Sequence, residues 1–371
     1  MSTRRTFLVQ AAATAAAAST AAAASTAAGR PRSGPVRIAI VGLVHDHVHG
    51  FLPAVIDSPE VELCGIVEPN PTLFERYATQ FHLKPSLRFD SLDRLLATSK
   101  VDALAAFTTT LDHRVVVETA AAHRVHVMME KPLATNLADA RSMAAVARKA
   151  GIELIVNYET SFWPSIRSSI PYVTQQHAIG DVRKIVWRAG HSGPKAICSA
   201  EFLAWLTDPI ANGGGALMDF GCYGADLATC LLPGLRPIAV SAVTQSFQPK
   251  VYPKVEDEAN LVIIYPEAVV IVQASWNWAR GQKELDIYGT DAELHLPDRD
   301  TLTFRQGTVN RSLPIQQTTD EPPSPLAHLL AIARGTLKPS GLAALDSNLL
   351  VMEILEAAKE SARTQRQVAI S

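Results

Sequence analysis

One glycine-rich segment, from Asn212 to Asp226, places a carboxylate and a phenol where they could exchange a proton. The segment reads NGGGALMDFGCYGAD. Asp219 and Tyr223 stand four residues apart, so a helix would bring them to one face, one turn from each other. A phenol beside a carboxylate can act in proton transfer. An ordinary glycine turn that leads into a buried helix accounts for the same segment equally well.

A second polar group, Glu130-Lys131-Pro132, directly follows an apolar run from Val125 to Met129. The run predicts a buried strand, and the proline permits a cis peptide bond after the lysine. A lysine at the carboxyl end of a parallel strand points into the crevice where such sheets bind ligands. Taken alone, the triplet also suits a simple turn.

The first apolar strand pattern, Val36 to Val41, stops at Gly42, where a helix pattern begins. A dinucleotide pyrophosphate binds at such a helix N-terminus. The usual glycine spacing is broken, because Val44 and His47 occupy the second and third glycine positions. Glu68 ends the second strand pattern and is suited to bind both ribose hydroxyls. Its charge repels a 2′-phosphate and so favours NAD over NADP.

Three histidines, His45, His47 and His49, crowd the loop after this first strand. His45 and His49 could share a helical face and coordinate a metal ion. The sequence shows no evident carboxylate or cysteine partner for them, so no metal site is predicted. Polar contacts with a cofactor or substrate are the preferred interpretation.

The elements that must position these residues form two domains. Strand and helix patterns alternate through residues 36–156, which predicts an α/β domain with a doubly wound parallel sheet. Through residues 157–371 strand patterns predominate between helices, which predicts an α+β domain with a large open mixed sheet.

Composition excludes several classes of protein. Of 371 residues, 47% are hydrophobic and 19% charged, as in a globular protein and not a disordered one. The net charge of −2 and the absence of basic runs argue against a nucleic-acid partner. Four scattered cysteines match neither zinc-ligand spacing nor a disulfide framework.

Residues 1–35 are expected to be an export leader. Arg4 and Arg5 precede an alanine-rich, weakly apolar stretch that extends to Ala28, as in twin-arginine export signals. The stretch is too weakly apolar for a membrane anchor. The sequence therefore predicts a protein of the periplasm, or one otherwise exported, with no membrane contact beyond its signal.

Together, these motifs resemble the Gfo/Idh/MocA oxidoreductases over residues 36–371. The residues that carry the resemblance are Gly42, Glu68, Thr108 with His113, Glu130-Lys131-Pro132 and the segment 212–226. The resemblance implies a Rossmann-type first domain that binds a nicotinamide cofactor, and a substrate that is a sugar, a polyol or a related compound. It also implies that the final helix, about 347–364, packs back on the first domain.

The resemblance assigns catalytic roles to three residues. Lys131 would orient the substrate hydroxyl and the nicotinamide, Asp219 would hold the substrate, and Tyr223 would be the acid/base. Many members have histidine at the last position; tyrosine is similar to the branch of glucose–fructose oxidoreductase and the dihydrodiol and xylose dehydrogenases. We expect the Lys131 ammonium to lower the pKa of the Tyr223 phenol.

Further contacts follow by position. Cofactor contacts are expected from Gly42, His45, Glu68, Thr108, His113, Glu130 and Lys131, and substrate contacts from Tyr158, Trp163 and Asp226. Trp276 and Trp278 would share one face of a strand, which favours burial in the interface of a homo-oligomer formed through the open sheet.

The sequence as a whole predicts an exported NAD(H)-dependent oxidoreductase of a sugar-like substrate. No free nicotinamide pool is expected outside the cytoplasm, so the cofactor would stay tightly bound and be recycled between two substrates. One alternative is an NAD-dependent glycosidase that oxidises its sugar transiently. Another is a ligand-binding protein of the same fold without turnover.

Overall fold

A computed structural model of the protein describes residues 34–315 and 322–370. The export signal expected near the N-terminus lies outside the described residues. None of the helices in the described part of the chain combines the length and apolarity that crossing a bilayer requires.

The first domain is built on a six-stranded parallel sheet of order β3-β2-β1-β4-β5-β6. Its strands are β1 (Val36–Val41), β2 (Val61–Val67), β3 (Arg88–Phe89), β4 (Ala103–Ala106), β5 (His126–Glu130) and β6 (Leu154–Asn157). The helices are α1 (Val48–Asp57), α2 (Pro71–Phe81), α3 (Leu92–Thr98), α4 (His113–Ala122) and α5 (Leu137–Ala150). This confirms the predicted doubly wound sheet, whose strand order reverses between β1 and β4 and opens a ligand crevice there.

Local chemistry sets the bounds of these helices. Asn70 begins α2 by accepting hydrogen bonds from the amides of Thr72 and Leu73, and Asn136 begins α5 in the same manner. Gly151 ends α5 in the left-handed conformation, with φ of 69°. These caps fix the residue at which α2 begins and the residues at which α5 begins and ends.

The second domain contains a nine-stranded mixed sheet of order β14-β13-β12-β11-β7-β10-β9-β8-β15. Only β7 and β10 pair in parallel among these strands. Its strands are β7 (Val182–Gly190), β8 (Ala239–Gln245), β9 (Glu258–Ile264), β10 (Val269–Ser275), β11 (Gln282–Gly289), β12 (Glu293–Leu296), β13 (Thr303–Gln306), β14 (Val309–Ser312) and β15 (Val368–Ala369). The predicted mixed sheet is confirmed.

Helices of the second half pack on this sheet and on the first domain. They are α6 (Pro164–Thr174), α7 (Pro194–Ile197), α8 (Ala200–Leu206), α9 (Ala216–Leu231), α10 (Pro325–Ala333) and α11 (Leu345–Thr364). The final helix, α11, contacts α9 and β8 and also α5 and β6, so it bridges both domains. Helix α10, which the sequence did not predict, buries Leu326, Leu329 and Leu330 against the first domain.

The other face of the large sheet exposes apolar side chains. Val243 on β8 is 63% exposed and Val262 on β9 is 37% exposed. Apolar residues on an uncovered sheet face are a feature of surfaces that contact another protein.

Two glycines of α9 give a test of how closely this helix approaches the sheet. A Cβ at Gly224 would lie 2.5 Å from Val272 Cγ2 and 3.0 Å from Trp187 Cδ1, whereas one at Gly221 would meet nothing closer than 3.7 Å. We expect Gly224→Ala to lower the free energy of unfolding by about 1–3 kcal/mol through overpacking. Gly221→Ala should raise it by roughly 0.5–1 kcal/mol, because alanine favours the helix. Urea denaturation measures both changes in the free energy of unfolding. If the two substitutions changed it in the same direction, this account of the packing would be contradicted.

Candidate active site

A buried ion pair joins the two domains at the carboxyl edge of the parallel sheet. Lys131 follows β5, and its Nζ donates to Asp219 Oδ1 at 2.6 Å and to the Asp219 carbonyl at 3.1 Å. Both residues are only 5% exposed. The sequence therefore identified two residues that the fold brings into contact.

The glycine turn before α9 aims Asp219 at this lysine. Gly213 has φ of 85°, and a Cβ there would lie 2.6 Å from the Thr135 carbonyl oxygen. A Cβ at Gly215 would lie 1.9 Å from the Glu256 carbonyl oxygen. The Glu256 carboxylate accepts from the amides of Gly215 at 2.8 Å and Leu217 at 3.0 Å, which caps the helix. Glycine is thus required at positions 213 and 215, because a side chain at either would overlap the backbone of Thr135 or Glu256.

Each partner of the ion pair stabilises the charge of the other. Burial opposes the carboxylate of Asp219, but the Lys131 ammonium outweighs it, and the pKa of Asp219 is lowered. Burial likewise opposes the ammonium of Lys131, yet Asp219 outweighs it and raises the pKa of Lys131. The Trp276 indole donates to the second carboxylate oxygen at 2.9 Å. At neutral pH both groups of the pair are therefore charged. The Lys131 ammonium and the Trp276 indole each donate to one oxygen of the Asp219 carboxylate.

Tyr223 lies beside the pair with a protonated phenol. Burial raises its pKa well above the usual value, and the Glu159 carboxylate adds to the effect. The expectation that Lys131 lowers this pKa is wrong. Lys131 Nζ lies 5.1 Å and Lys283 Nζ 4.8 Å from the centroid of the phenol ring, so they interact with the ring face as cations over a π system. The phenol is therefore protonated at neutral pH.

A cavity of about 580 Å³ opens over these groups. Its lining includes Lys131, Asp219 and Tyr223, together with His47, His191, Glu159, Trp163 and Lys283. Trp163 lines the cavity as the sequence predicts. Lys283 forms an ion pair with Glu159, and its Nζ lies 5.8 Å from the Trp163 ring centroid. Sequence reasoning missed Glu159 and Lys283, which stand in no recognisable motif.

Three expectations about aromatic and acidic residues are wrong. Tyr158 does not line the cavity: it is 0% exposed and packs edge-on against Tyr223, with ring centroids 5.3 Å apart. Asp226 is 1% exposed, deeper along α9, where burial raises its pKa well above the usual value. Trp276 is 0% exposed within the chain itself, where its indole donates to Asp219, so its side chain does not lie at the surface.

Several expected cofactor residues lie along the crevice at the carboxyl edge of the sheet. A Cβ at Gly42 would lie 2.7 Å from Thr108 Cγ2, and its φ of 82° also favours glycine. Nδ1 of His113 lies 3.0 Å from the Leu133 carbonyl oxygen, and burial lowers the pKa of His113 to about 4, so its ring is neutral. Glu68 ends β2 and is 3% exposed.

The loop after β1 is closed by internal hydrogen bonds. The amide of Leu43 donates to Glu68 Oε2 at 3.0 Å, that of His45 to the Phe107 carbonyl at 3.2 Å, and that of His47 to His45 Nδ1 at 3.2 Å. Amides at such positions cradle the pyrophosphate in glycine-rich loops. In this loop, by contrast, the three amides already donate within the protein. The loop therefore differs from a glycine-rich cradle in the availability of its amide donors as well as in its side chains.

The segment that contains α7 and α8 covers the same loop. Asp46 accepts hydrogen bonds from the Ser199 amide at 2.8 Å and the Ser199 hydroxyl at 2.6 Å. His45 is 1% exposed, and its ring centroid lies 4.4 Å from that of Phe202 and 5.5 Å from that of Trp205. His45 is thus a packed residue of the loop and does not line the cavity.

The loop histidines do have a carboxylate partner, contrary to the sequence interpretation. His47 Nδ1 lies 2.9 Å and His45 Nε2 3.7 Å from Glu130 Oε2. His49 instead points away, with Nε2 3.0 Å from the Tyr77 hydroxyl. Glu130 was not evident as a partner because it lies 83 residues from His47 along the chain.

Glu68 and Lys131 are residues of the types that contact the two ends of a nicotinamide dinucleotide. Glu68 offers a buried carboxylate at the ribose position, and Lys131 stands at the position of the reacting groups. Between them, imidazoles and the Asp46 carboxylate replace the bare backbone of the glycine pattern. Glu68 and Lys131 are therefore the residues that would hold the cofactor.

Family comparisons agree with this architecture. Residues 36–158 match the model described as "Oxidoreductase family, NAD-binding Rossmann fold". Residues 172–295 match the Gfo/Idh/MocA C-terminal domain. The chain belongs to the Gfo/Idh/MocA family.

Curated relatives within this family are dehydrogenases and reductases. Trans-1,2-dihydrobenzene-1,2-diol dehydrogenase of Xenopus tropicalis is 28% identical over 56% of this chain and 59% of its own length. D-apiose dehydrogenase of Rhizobium rhizogenes is 27% identical over 63% of this chain and 66% of its own length. The chain thus spans less than two thirds of the length of these relatives.

Solved structures of similar fold cover nearly the whole chain. Aldose-aldose oxidoreductase from Caulobacter crescentus, complexed with glycerol, has a TM-score of 0.76 at 24% identity and covers 90% of this chain and 99% of its own. An inositol dehydrogenase homologue from Azotobacter vinelandii, complexed with NAD+, has a TM-score of 0.79 at 19% identity and covers 92% of this chain and 99% of its own. At these identities the likeness establishes the fold.

The buried ion pair should contribute far more to stability than an exposed one. Asp219→Asn would leave the Lys131 ammonium buried without a counter-charge, and we expect the free energy of unfolding to fall by about 3–5 kcal/mol. Asp208 makes a matched control, since it pairs with Lys254 at 3.0 Å on the surface. Asp208→Asn should cost less than about 1 kcal/mol. Chemical denaturation compares the two, and equal losses would contradict the electrostatic assignment.

Proposed function

We propose that the protein is an oxidoreductase that acts on a CH–OH group of a sugar-like substrate, with NAD as the hydride carrier. The observation that carries the proposal is the ionised Lys131–Asp219 pair beside the Tyr223 phenol, in a cavity of about 580 Å³. Family membership supports the reaction class. Glu68 supports NAD over NADP, since a buried carboxylate at the ribose position would repel a 2′-phosphate.

Each residue of this group has a distinct role in the proposal. Lys131 donates a hydrogen bond to the substrate hydroxyl or carbonyl oxygen, and Asp219 holds the lysine in place and keeps it charged. Tyr223 exchanges the proton of that oxygen. The nicotinamide, when bound, supplies or accepts the hydride. Because burial raises the pKa of Tyr223, its neutral phenol is best suited to protonate oxygen in the direction of reduction.

The cavity suits a polyhydroxylated substrate. Trp163 offers an aromatic surface for the apolar face of a sugar ring, while the Glu159–Lys283 pair offers an acceptor and a donor for hydroxyls. D-apiose dehydrogenase and the aldose-aldose oxidoreductase, each named for a sugar substrate, support the same class.

Export, cofactor recycling and self-association belong to the same proposal. The Arg4-Arg5 pair and the alanine-rich stretch after it support twin-arginine export, a route that carries folded proteins with their bound cofactors. An exported enzyme without a nicotinamide pool would use one substrate to reduce the bound cofactor and a second to reoxidise it. The exposed Val243 and Val262 support a homo-oligomer formed through the open sheet.

A specific observation favours a second candidate, a ligand-binding protein of the same fold without turnover. The amides of Leu43, His45 and His47 all donate within the protein, so a pyrophosphate gains less from this loop than from a glycine-rich one. Retention of Lys131, Asp219 and Tyr223 argues for the enzyme, since binding alone does not require this set.

The nucleotide carried by the purified protein distinguishes the two candidates. Denaturation should release NAD or NADH in near-stoichiometric amount, identified by mass spectrometry. Sugars added to the native protein should change the absorbance of that nucleotide. Tyr223→Phe should retain the nucleotide but lose turnover by about 10²–10⁴-fold, the usual contribution of a general acid or base. Absence of nucleotide would favour the ligand-binding protein, and undiminished turnover by Tyr223→Phe would refute the proton-transfer role.

Export has its own test. Replacement of both Arg4 and Arg5 by lysine should leave the full-length chain in the cytoplasm of a host with an active twin-arginine pathway. The unaltered chain should reach the periplasm and be shortened. Cell fractionation followed by mass measurement reports both outcomes. Equal distribution of the two chains would contradict the proposed route.

A further inference from the structure

The β1–α1 loop and the end of β5 bring three metal-ligating side chains together. One ligand atom each from His45, His47 and Glu130 lies within 4.8 Å of the others. Nδ1 of His47 is 2.9 Å and Nε2 of His45 is 3.7 Å from the same oxygen, Glu130 Oε2. Neighbouring ligands of a tetrahedral zinc ion are separated by roughly 3.4 Å, as bond lengths near 2.1 Å require. A small rotation of the His47 ring away from Glu130 would admit such an ion.

The groups that face the buried Glu130 carboxylate are of metal-binding type. Glu130 is 1% exposed, and among the residues that the structure describes its ion-pair partners are the two imidazoles alone. The nearby ammonium groups are paired elsewhere, Lys131 with Asp219 and Lys283 with Glu159. The Glu130 carboxylate therefore lies against two imidazole nitrogens, which are metal-binding groups, and not against an ammonium group. A divalent ion held by the two imidazoles would lie against the same carboxylate.

The surroundings also resemble a built ligand shell. Asn157 donates from Nδ2 to the other oxygen of Glu130 at 2.7 Å, which orients the carboxylate. If His45 coordinates a metal through Nε2, its ring proton lies on Nδ1. Nδ1 can then no longer accept the hydrogen bond that the His47 amide donates to it at 3.2 Å, and this bond would be lost on metal binding.

We propose that His45, His47 and Glu130 form a binding site for one divalent transition-metal ion of the zinc class. Two imidazoles and one carboxylate make up a known ligand set for zinc sites that keep an open position. His47 is 32% exposed at its side chain and lines the cavity beside Lys131 and Glu159. The open position therefore faces that cavity, where it would take an oxygen ligand such as a sugar hydroxyl. The site uses none of Lys131, Asp219 and Tyr223, but it does use His45 and Glu130, which the sequence predicts as cofactor contacts.

Cobalt(II) titration tests the site directly. The untagged full-length chain is freed of metal by chelation, dialysed and titrated with Co²⁺, while visible absorbance reports the ligand field. We expect one equivalent to bind with intense d–d bands typical of low coordination number, and Zn²⁺ to displace it. His47→Gln should weaken the affinity by more than about tenfold and abolish the bands.

His49→Gln is the matched control, because His49 stands in the same loop but lies beside Tyr77 and not Glu130. It should leave both the affinity and the spectrum unchanged. Glu130→Gln should behave like His47→Gln. Because Glu130 is buried, the Glu130→Gln variant could fail to fold, in which case the result for the partly exposed His47 decides the test. Absence of stoichiometric Co²⁺ binding would overturn the proposal. So would an unchanged spectrum in His47→Gln, or an equal loss in His49→Gln.

Discussion

The contact between Lys131 and Asp219 is the constraint on which the rest of the site depends. It links the end of a parallel strand in the first domain to the first turn of α9 in the second, across 88 residues of sequence. A buried pair of opposite charges is stable only when its geometry and its remaining hydrogen bonds are satisfied. Here the Asp219 carbonyl and the Trp276 indole complete it. The glycine turn, the cap from Glu256 and the close packing of α9 all serve to hold this one contact.

Much of this arrangement could be predicted from the sequence. Apolar runs that stop at polar residues identified the parallel sheet and the edge where ligands bind, and the helical spacing of Asp219 and Tyr223 identified the site-bearing helix. Trp276, Glu159 and Lys283 could not be found in this way. Trp276 reaches Asp219 from just after β10, while Glu159 and Lys283 line the cavity from the segment after β6 and from β11. Only the tertiary fold brings these residues together.

The errors have physical causes of the same kind. Sequence position placed Tyr158 near the cleft but could not say that it packs beneath Tyr223. A lysine near a phenol suggested a lowered pKa, whereas the ammonium groups lie over the ring and burial dominates. Glu130 was expected in a turn and in contact with the cofactor, yet its carboxylate faces the loop histidines. Contacts and pKa shifts of this kind depend on distances of a few ångströms between side chains in the folded protein. The periodicity of the sequence does not specify those distances.

Two kinds of chemistry thus meet at one edge of the sheet. The lysine, aspartate and tyrosine of the cavity suit exchange of a proton at a hydroxyl group, and the neighbouring imidazoles and carboxylate suit a cation. In this family member the loop after Gly42 has valine and histidine side chains at two positions where the glycine pattern leaves the backbone open.

The central claim is that this cavity transfers hydride between a sugar carbon and a nicotinamide. The most direct measurement follows the fate of deuterium placed on the carbinol carbons of a panel of sugars incubated with the purified protein. Mass spectrometry of the recovered nucleotide should find deuterium in its nicotinamide ring for at least one sugar. Retention of all deuterium in every sugar, with none in any nucleotide, would contradict the account.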